Sequence, residues 1–330
     1  MKKMILFFII VLCLSACQNF HEQYHLEGFA QGTYYSIRYY DSQNRNLKTQ
    51  IDSLLDDFNK TASIYESSSI ISKVNRNEEV VLNTDFVEIF NSAMKVSKNT
   101  NGAFDITVGL LVNAWGFGSE GRIDSLKVLT DSLLKFVGYE NIDIKNNKII
   151  KKYPEIKIDF NAIAKGYSVD LFSRFLQDKG IKNFIIDIGG EIRTSGKKPD
   201  GSFWNIGIER PAQNNSSQRE VQMIISLTGK SIATSGTYRK YYEKDGIRYS
   251  HTIDPKTGYP VTHTLLSATV LADECVMADA YATAFMVMGL EKSLKFLKQH
   301  SELQAFFIFE QDGNLKTYAT EGMKKLIENY

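Results

Sequence analysis

The chain has 330 residues, 43% of them hydrophobic and 23% charged, a globular composition that excludes a disordered protein and leaves room for one large domain or two smaller ones. Lys plus Arg number 39 against 38 for Asp plus Glu. No global field therefore draws the chain to nucleic acid, and any phosphate it binds must be held locally.

At the N-terminus Lys2 and Lys3 precede an apolar run from Met4 to Leu14. That run is shorter than the roughly 20 apolar residues of a spanning helix but suits the hydrophobic region of a secretory signal. It ends in Leu14-Ser15-Ala16-Cys17, which resembles a bacterial lipobox, so residues 1–16 are expected to be a lipoprotein signal peptide and Cys17 the lipidated new N-terminus. Acyl chains add roughly 0.8 kcal/mol per buried methylene, enough for several of them to tether an otherwise aqueous fold. The expected location is a bacterial cell membrane, on its extracytoplasmic (periplasmic) side. Cys13 would leave with the signal and Cys17 would carry lipid, leaving Cys275 alone, which excludes an internal disulfide and a cysteine-based metal cage.

Residues 17–25 read as a polar, lipidated tether, and the folded domain is expected over 26–330. Tyr-rich "GTYYSIRYY" (32–40) predicts a strand, and Leu47, Ile51, Leu54, Leu55 and Phe58 recur at helical spacing just after it. Further helices are predicted over 84–98 and over 125–137, the latter stopped by Gly138. "EIKIDF" (155–160) reads as a strand and "NAIAKGYSVDLFSRFLQDKG" (161–180) as a helix closed by Gly180. "KNFIIDIGGEIRTSG" reads as two strands reversed at Gly189-Gly190. Strands follow at 204–209, 221–228, 247–253 and 265–271, then a helix over 275–288 with Gly289 after it, a shorter one to His300, and a hairpin at Asp312-Gly313. Strands in tight succession mixed with helices predict an α+β fold in one body, with mixed, mainly antiparallel sheets and packed helices.

Two phosphate-binding patterns nearly occur, and both fail on context. "GFGSEG" (116–121) satisfies G-x-G-x-x-G but lacks the preceding strand and following helix of a dinucleotide fingerprint. In "GEIRTSGKK" (190–198) the glycines are too far apart for a P-loop, and Lys198 stands where Ser or Thr must meet magnesium.

Asp279 and Thr283 lie four residues apart on a predicted helix, so their oxygens share one face, with Cβ atoms about 5–6 Å apart. The surrounding residues are largely apolar, and a carboxylate in such a setting needs a partner. Either the pair serves a hard cation such as Mg2+, or Asp279 is a hydrogen-bonded helix residue. His251, in "YSHTIDPKTGYP", is open to three readings: a satisfied core imidazole, a metal ligand or a catalytic base.

Taken in order, "FDITVGLLVNAWGFG" (104–118), "IDFNAIAKGYSVD" (158–170), "FIIDIGGEI" (184–192), "SIATSGTYRKYY" (231–242), "SHTIDPKTGYP" (250–260) and the Asp279 helix resemble the ApbE family of FAD:protein FMN transferases, over nearly everything from Gly28 onward. The resemblance implies a Mg2+-dependent enzyme that attaches FMN from FAD, through its phosphate, to a Thr or Ser of an acceptor protein and releases AMP. It implies metal ligands at Asp279, Thr283 and the main-chain carbonyl of Ala162; relatives that carry a further Asp have it where this chain has Ala282. FAD contacts map by resemblance to Gln31, Tyr65, Ala103, Phe104, Asp105, Asp159, Lys165 and Ile253.

The residue types suit those roles. Tyr65 and Phe104 would offer stacking faces and Lys165 a charge for phosphate, although Phe104 also suits a core, Lys165 a solvated helix face, and Asp105 and Asp159 turn caps. His251 becomes, by resemblance, the general base for the acceptor hydroxyl, while Asp254 has no assigned role. The expected partners are FAD, an exported or membrane-bound electron-transfer protein as acceptor, and the membrane through the lipid anchor, with no nucleic acid. Two alternatives remain at this point: a Mg2+-dependent FAD pyrophosphatase giving FMN and AMP, and a non-catalytic FAD-binding lipoprotein.

Overall fold

The computed structural model describes residues 22–118, 126–211, 220–237, 241–244 and 247–327. Residues 1–16, expected as a signal peptide, and Cys17 lie outside the described residues. The chain begins with an antiparallel hairpin, β1 (Glu22–Ala30) and β2 (Thr33–Asp41), followed by helices α1 (Lys48–Ala62), α2 (Ile70–Asn75), α3 (Thr84–Asn99), α4 (Gly109–Ala114) and α5 (Leu126–Leu134). A small hairpin, β3 (Ile142–Lys145) and β4 (Lys148–Lys151), leads to α6 (Ala164–Asp178), β5 (Asn183–Ile188), β6 (Glu191–Ser195), β7 (Trp204–Glu209), β8 (Val221–Leu227) and β9 (Ser231–Gly236). Then come β10 (Tyr241–Lys244), β11 (Ile247–Ser250), β12 (Leu265–Ala272), α7 (Cys275–Leu297), β13 (Gln304–Gln311), β14 (Asn314–Ala319) and α8 (Glu321–Lys324).

An eight-stranded sheet, ordered β1-β2-β5-β6-β9-β12-β13-β14, forms the frame, and every neighbouring pair in it is antiparallel. Alternation along the strands assigns its two faces. Ala305 and Phe307 of β13 point into a core with α3, α6 and α7, whereas Phe306 and Ile308 point the other way, onto Ile206, Ile208, Ile225 and Leu227 of the β7–β8 hairpin. Toward the other edge, Tyr35, Ile37 and Tyr39 of β2 and Ile186 and Ile188 of β5 pack on Ile51 and Leu55 of α1 and on Val169, Phe172 and Leu176 of α6. The result is the expected α+β body, with a helical layer on one face of the sheet and a β-hairpin on the other.

Three expectations change. The first strand starts at Glu22, because β2 is long enough to pair the whole stretch from Glu22↔Asp41 to Ala30↔Thr33; residues 22–25 therefore belong to the sheet and not to a tether. "EIKIDF" makes only a single parallel bridge, Val108↔Lys157. The Asn75 side chain takes the place of a neighbouring strand there, accepting from Ile158 N at 2.7 Å and donating to Ile158 O at 2.8 Å. The strand expected over 247–253 ends at Ser250, since Ile253 turns back to bridge Pro260 and Asp254 N donates to Tyr259 O at 2.9 Å. Helix α7 breaks where the sequence placed it: Gly289, at φ 75° and ψ 173°, is non-helical and separates a first helix from a shorter second one that ends at Leu297.

Candidate active site

Helices α6 and α7 cross at a glycine. A Cβ on Gly166 would lie 2.4 Å from the Cys275 carbonyl oxygen and 2.7 Å from Asp279 Cβ, so the two backbones meet only because that atom is missing. Gly166 N–H donates to Asp279 Oδ2 at 2.9 Å. In a continued helix this N–H would go to the carbonyl of Ala162, four residues back. Gly166 lies in the first turn of α6, whose N–H groups have no acceptor within the helix, so Asp279 caps one of them, beside the turn that carries Ala162.

Asp279 is buried, and burial pushes its carboxyl well above the usual range; the Glu191 charge pushes the same way, opposed by Lys165 and the Gly166 N–H. One turn further along α7, Thr283 Oγ1 lies 3.2 Å from Ser235 Oγ on β9. Lys165 Nζ lies 2.6 Å from Glu191 Oε2 at the start of β6. Gln31, with φ 48° in the β1–β2 turn, donates through Nε2 to Ser168 Oγ, which donates to Ala164 O at 3.0 Å. Gln31, Lys165, Asp279 and Thr283 therefore gather around the N-terminal end of α6.

A second group lies on the segments that lead into α6. Asp159 Oδ1 accepts from Asn161 N at 2.7 Å, and burial raises its carboxyl against that bond. Tyr65 stands beside it, 66% exposed, its hydroxyl raised by burial and by the Asp159 charge and lowered by Asn161. Asp159 N donates to Ile106 O at 2.8 Å, which ties this turn to the Ala103–Asp105 run. Asp105 there accepts from Thr107 N and Thr107 Oγ1 at 2.8 and 2.6 Å and from Tyr139 N at 2.7 Å. Burial outweighs these bonds and raises its carboxyl to about 6.

Phe104 is 2% exposed and lies in the main core, so its ring offers no stacking face and only its backbone is left to meet a ligand. Both aspartates bind backbone N–H groups two residues on, the turn-capping pattern that their sequence context also allowed.

The third group surrounds the histidine. His251 is half-buried just after β11, edge-on to Phe117 with ring centroids 6.3 Å apart. Ile253 is buried with Leu111 and Trp115 of the α4 region, and Trp115 Nε1 donates to Gly258 O at 2.8 Å, closing the turn onto that helix. Asp254 Oδ1 accepts from Lys256 N at 2.9 Å and so caps the same turn. Ile253 packs on α4, Ile106 just ahead of α4 accepts from Asp159 N, and Asp159 leads into α6, so the three groups lie on segments tied to one another in turn.

Sequence reasoning passed over Gly166, Ser235 and Glu191. A glycine inside a helix costs about 1 kcal/mol relative to alanine, which is a signal of close approach. A glutamate opening an apolar strand is a signal of a buried, partnered charge.

Among the described residues no three His, Cys, Asp or Glu side chains cluster as a metal site. Asp279 offers a carboxylate, Thr283 one turn along a hydroxyl, and the turn before α6 main-chain carbonyls, all hard oxygens of the kind Mg2+ takes.

The chain matches the model of the ApbE family over residues 31–307. It belongs to the ApbE family. Among curated proteins it is 39% identical to the FAD:protein FMN transferase of Vibrio cholerae over 328 residues, 96% of each chain. It is 35% identical to that of Haemophilus influenzae, over 99% of each. The solved flavin transferase ApbE from Vibrio cholerae superposes with a TM-score of 0.83 at 37% identity, covering 93% of this chain and 99% of the other. The apo flavinyl transferase ApbE of Pseudomonas stutzeri gives 0.83 at 31% identity, over 93% and 97%.

Proposed function

We propose that this protein transfers FMN from FAD to a Thr or Ser hydroxyl of an acceptor protein, releasing AMP. The observation that carries the reading is the pairing of ApbE membership with oxygen donors gathered where α6 and α7 meet, next to a lysine. In the reaction the acceptor oxygen bonds to the FMN phosphorus as the bond from that phosphorus to the AMP oxygen breaks. Such a transfer needs positioning and charge neutralisation more than covalent help from the protein.

Asp279, Thr283 and the Ala162 carbonyl would hold Mg2+, which supplies neutralising charge to the diphosphate. Lys165 adds a fixed cation for the phosphate oxygens. The exposed Tyr65 ring suits stacking on a flavin or adenine. The His251 imidazole, whose ordinary pKa is near neutral, receives the acceptor hydroxyl's proton, a contribution typically of 10²- to 10⁴-fold.

The Met4–Leu14 run and the Leu14-Ser15-Ala16-Cys17 sequence support export and acylation at Cys17, hence action on extracytoplasmic electron-transfer acceptors. A Cys17→Ala variant should then leave the membrane fraction.

The test of the activity is incubation of the mature protein with FAD, Mg2+ and a Thr-bearing acceptor domain. Flavin fluorescence on the acceptor band, with AMP released, is expected. Free FMN with AMP and an unlabelled acceptor would show a hydrolase, and unchanged FAD a carrier; either outcome overturns the proposal.

A further inference from the structure

Glu191 has no place in the chemistry described so far, yet its burial needs a reason. It is the first residue of β6, 2% exposed, and follows a glycine reversal whose φ values are 64° at Gly189 and 103° at Gly190. Gly190 N donates to Asp187 Oδ1 at 2.8 Å, and Glu191 pairs in register with Ile188, so the backbone beneath the carboxylate is held from both sides. Ile186 and Ile188, opposite Arg193 and Glu191 in the ladder, face α6. Glu191 shares that face, and its Oε2 meets Lys165 Nζ at 2.6 Å.

A buried carboxylate is costly unless it holds a cation, and a lysine side chain has four rotatable carbons that no helix position fixes. The glutamate is rigid where the lysine is not: its side chain is 2% exposed against 29% for Lys165. An ammonium carries three donors, so an ion pair with one carboxylate is compatible with a second acceptor such as a phosphate oxygen.

We infer that Glu191 is a positioning residue: it fixes the Lys165 ammonium at the mouth of α6 for the diphosphate of the dinucleotide. This rests on the reading above that Lys165 meets FAD phosphate. The ligand chemistry recognised is the phosphate and not the flavin ring.

The test compares binding of FAD and of riboflavin, which has the ring but no phosphate, by flavin fluorescence in wild type, E191Q, K165M and the double variant. E191Q should weaken FAD roughly 10- to 100-fold, the loss typical when a partner that orients a ligand-binding group is removed, and leave riboflavin unchanged. The double variant should bind FAD no more weakly than K165M, because the glutamate acts through the lysine.

Unchanged FAD affinity in E191Q overturns the inference, as does an equal loss for riboflavin, which marks a general structural role. Losses that multiply in the double variant also overturn it. If K165M binds FAD as wild type does, the Lys165 reading itself has failed, a separate outcome. Should E191Q not fold, the double variant, which removes both charges, still decides the matter against K165M: any loss beyond that of K165M refutes the role.

Discussion

Gly166→Ala is the sharpest perturbation of the site because it adds one methyl group where two helices touch. The new Cβ would sit 2.4 Å from the Cys275 carbonyl oxygen and 2.7 Å from Asp279 Cβ, against 3.4 Å or more for ordinary contact. Relief requires α6 and α7 to part by roughly 1 Å, since both clashing atoms belong to the rigid stem of α7 and not to the end of a mobile side chain. Overpacking of this kind costs roughly 1–3 kcal/mol, and alanine's better helix propensity returns up to about 1 kcal/mol. The net loss, about 1–2 kcal/mol, lowers Tm by roughly 2–3 °C in a chain of this size.

The effect on turnover should be larger than the effect on stability. Parting the helices stretches the 2.9 Å bond from Gly166 N–H to Asp279 Oδ2 and carries Asp279 away from the Ala162 turn. A misplacement of about 1 Å at a reacting centre can cost 10²-fold. Calorimetry together with the acceptor-labelling assay measures both quantities. A G166A protein with the Tm and turnover of wild type would refute the close-approach argument, and a lower Tm with normal turnover would detach Gly166 from the site.

Asp279→Ala should abolish labelling together with its Mg2+ requirement; activity that keeps its dependence on Mg2+ would leave Asp279 a structural residue. His251→Ala should bind FAD normally but slow transfer by about 10²- to 10⁴-fold, and normal turnover would remove the base assignment. Asp105 gives a pH test. Burial pushes its folded carboxyl up to about 6, above the ordinary 3.8, so between those values the folded state retains a proton that the unfolded state has lost. The stability linked to this proton is complete below pH ~4 and is lost as the pH rises through about 6, by on the order of 1.4 kcal/mol per pH unit at most. Urea titrations should show wild type losing ground to D105A across that window, whereas parallel curves would contradict the buried, raised carboxyl.

Much of the fold could be read in the sequence because its signals are local. Alternating residues in "TYYSIRYY", the Gly-Gly reversal before Glu191 and the Asp312-Gly313 turn specify strands and hairpins through backbone freedom and side-chain period, which need no distant partner. "EIKIDF" was misleading because its apolar alternation is that of a strand, yet the N–H and carbonyl of Ile158 go to the Asn75 side chain, 83 residues away. The resemblance to ApbE proteins fixed attention on Asp279, Thr283 and Lys165, all of which gather near the start of α6. The aromatic type of Phe104 suited either a stacking face or the core, and the core takes its ring.

What the residues alone determined is the kind of chemistry available: a carboxylate and a hydroxyl one helical turn apart, and an imidazole in a turn. Those follow from covalent spacing and helix geometry. Only the tertiary structure decided which groups share a site, because it sets Gly166 against Asp279, Glu191 against Lys165 and Ser235 against Thr283 across segments that no local period connects. Burial decided the rest, since the charge a carboxyl carries depends on how much water and which countercharge the packed fold leaves beside it.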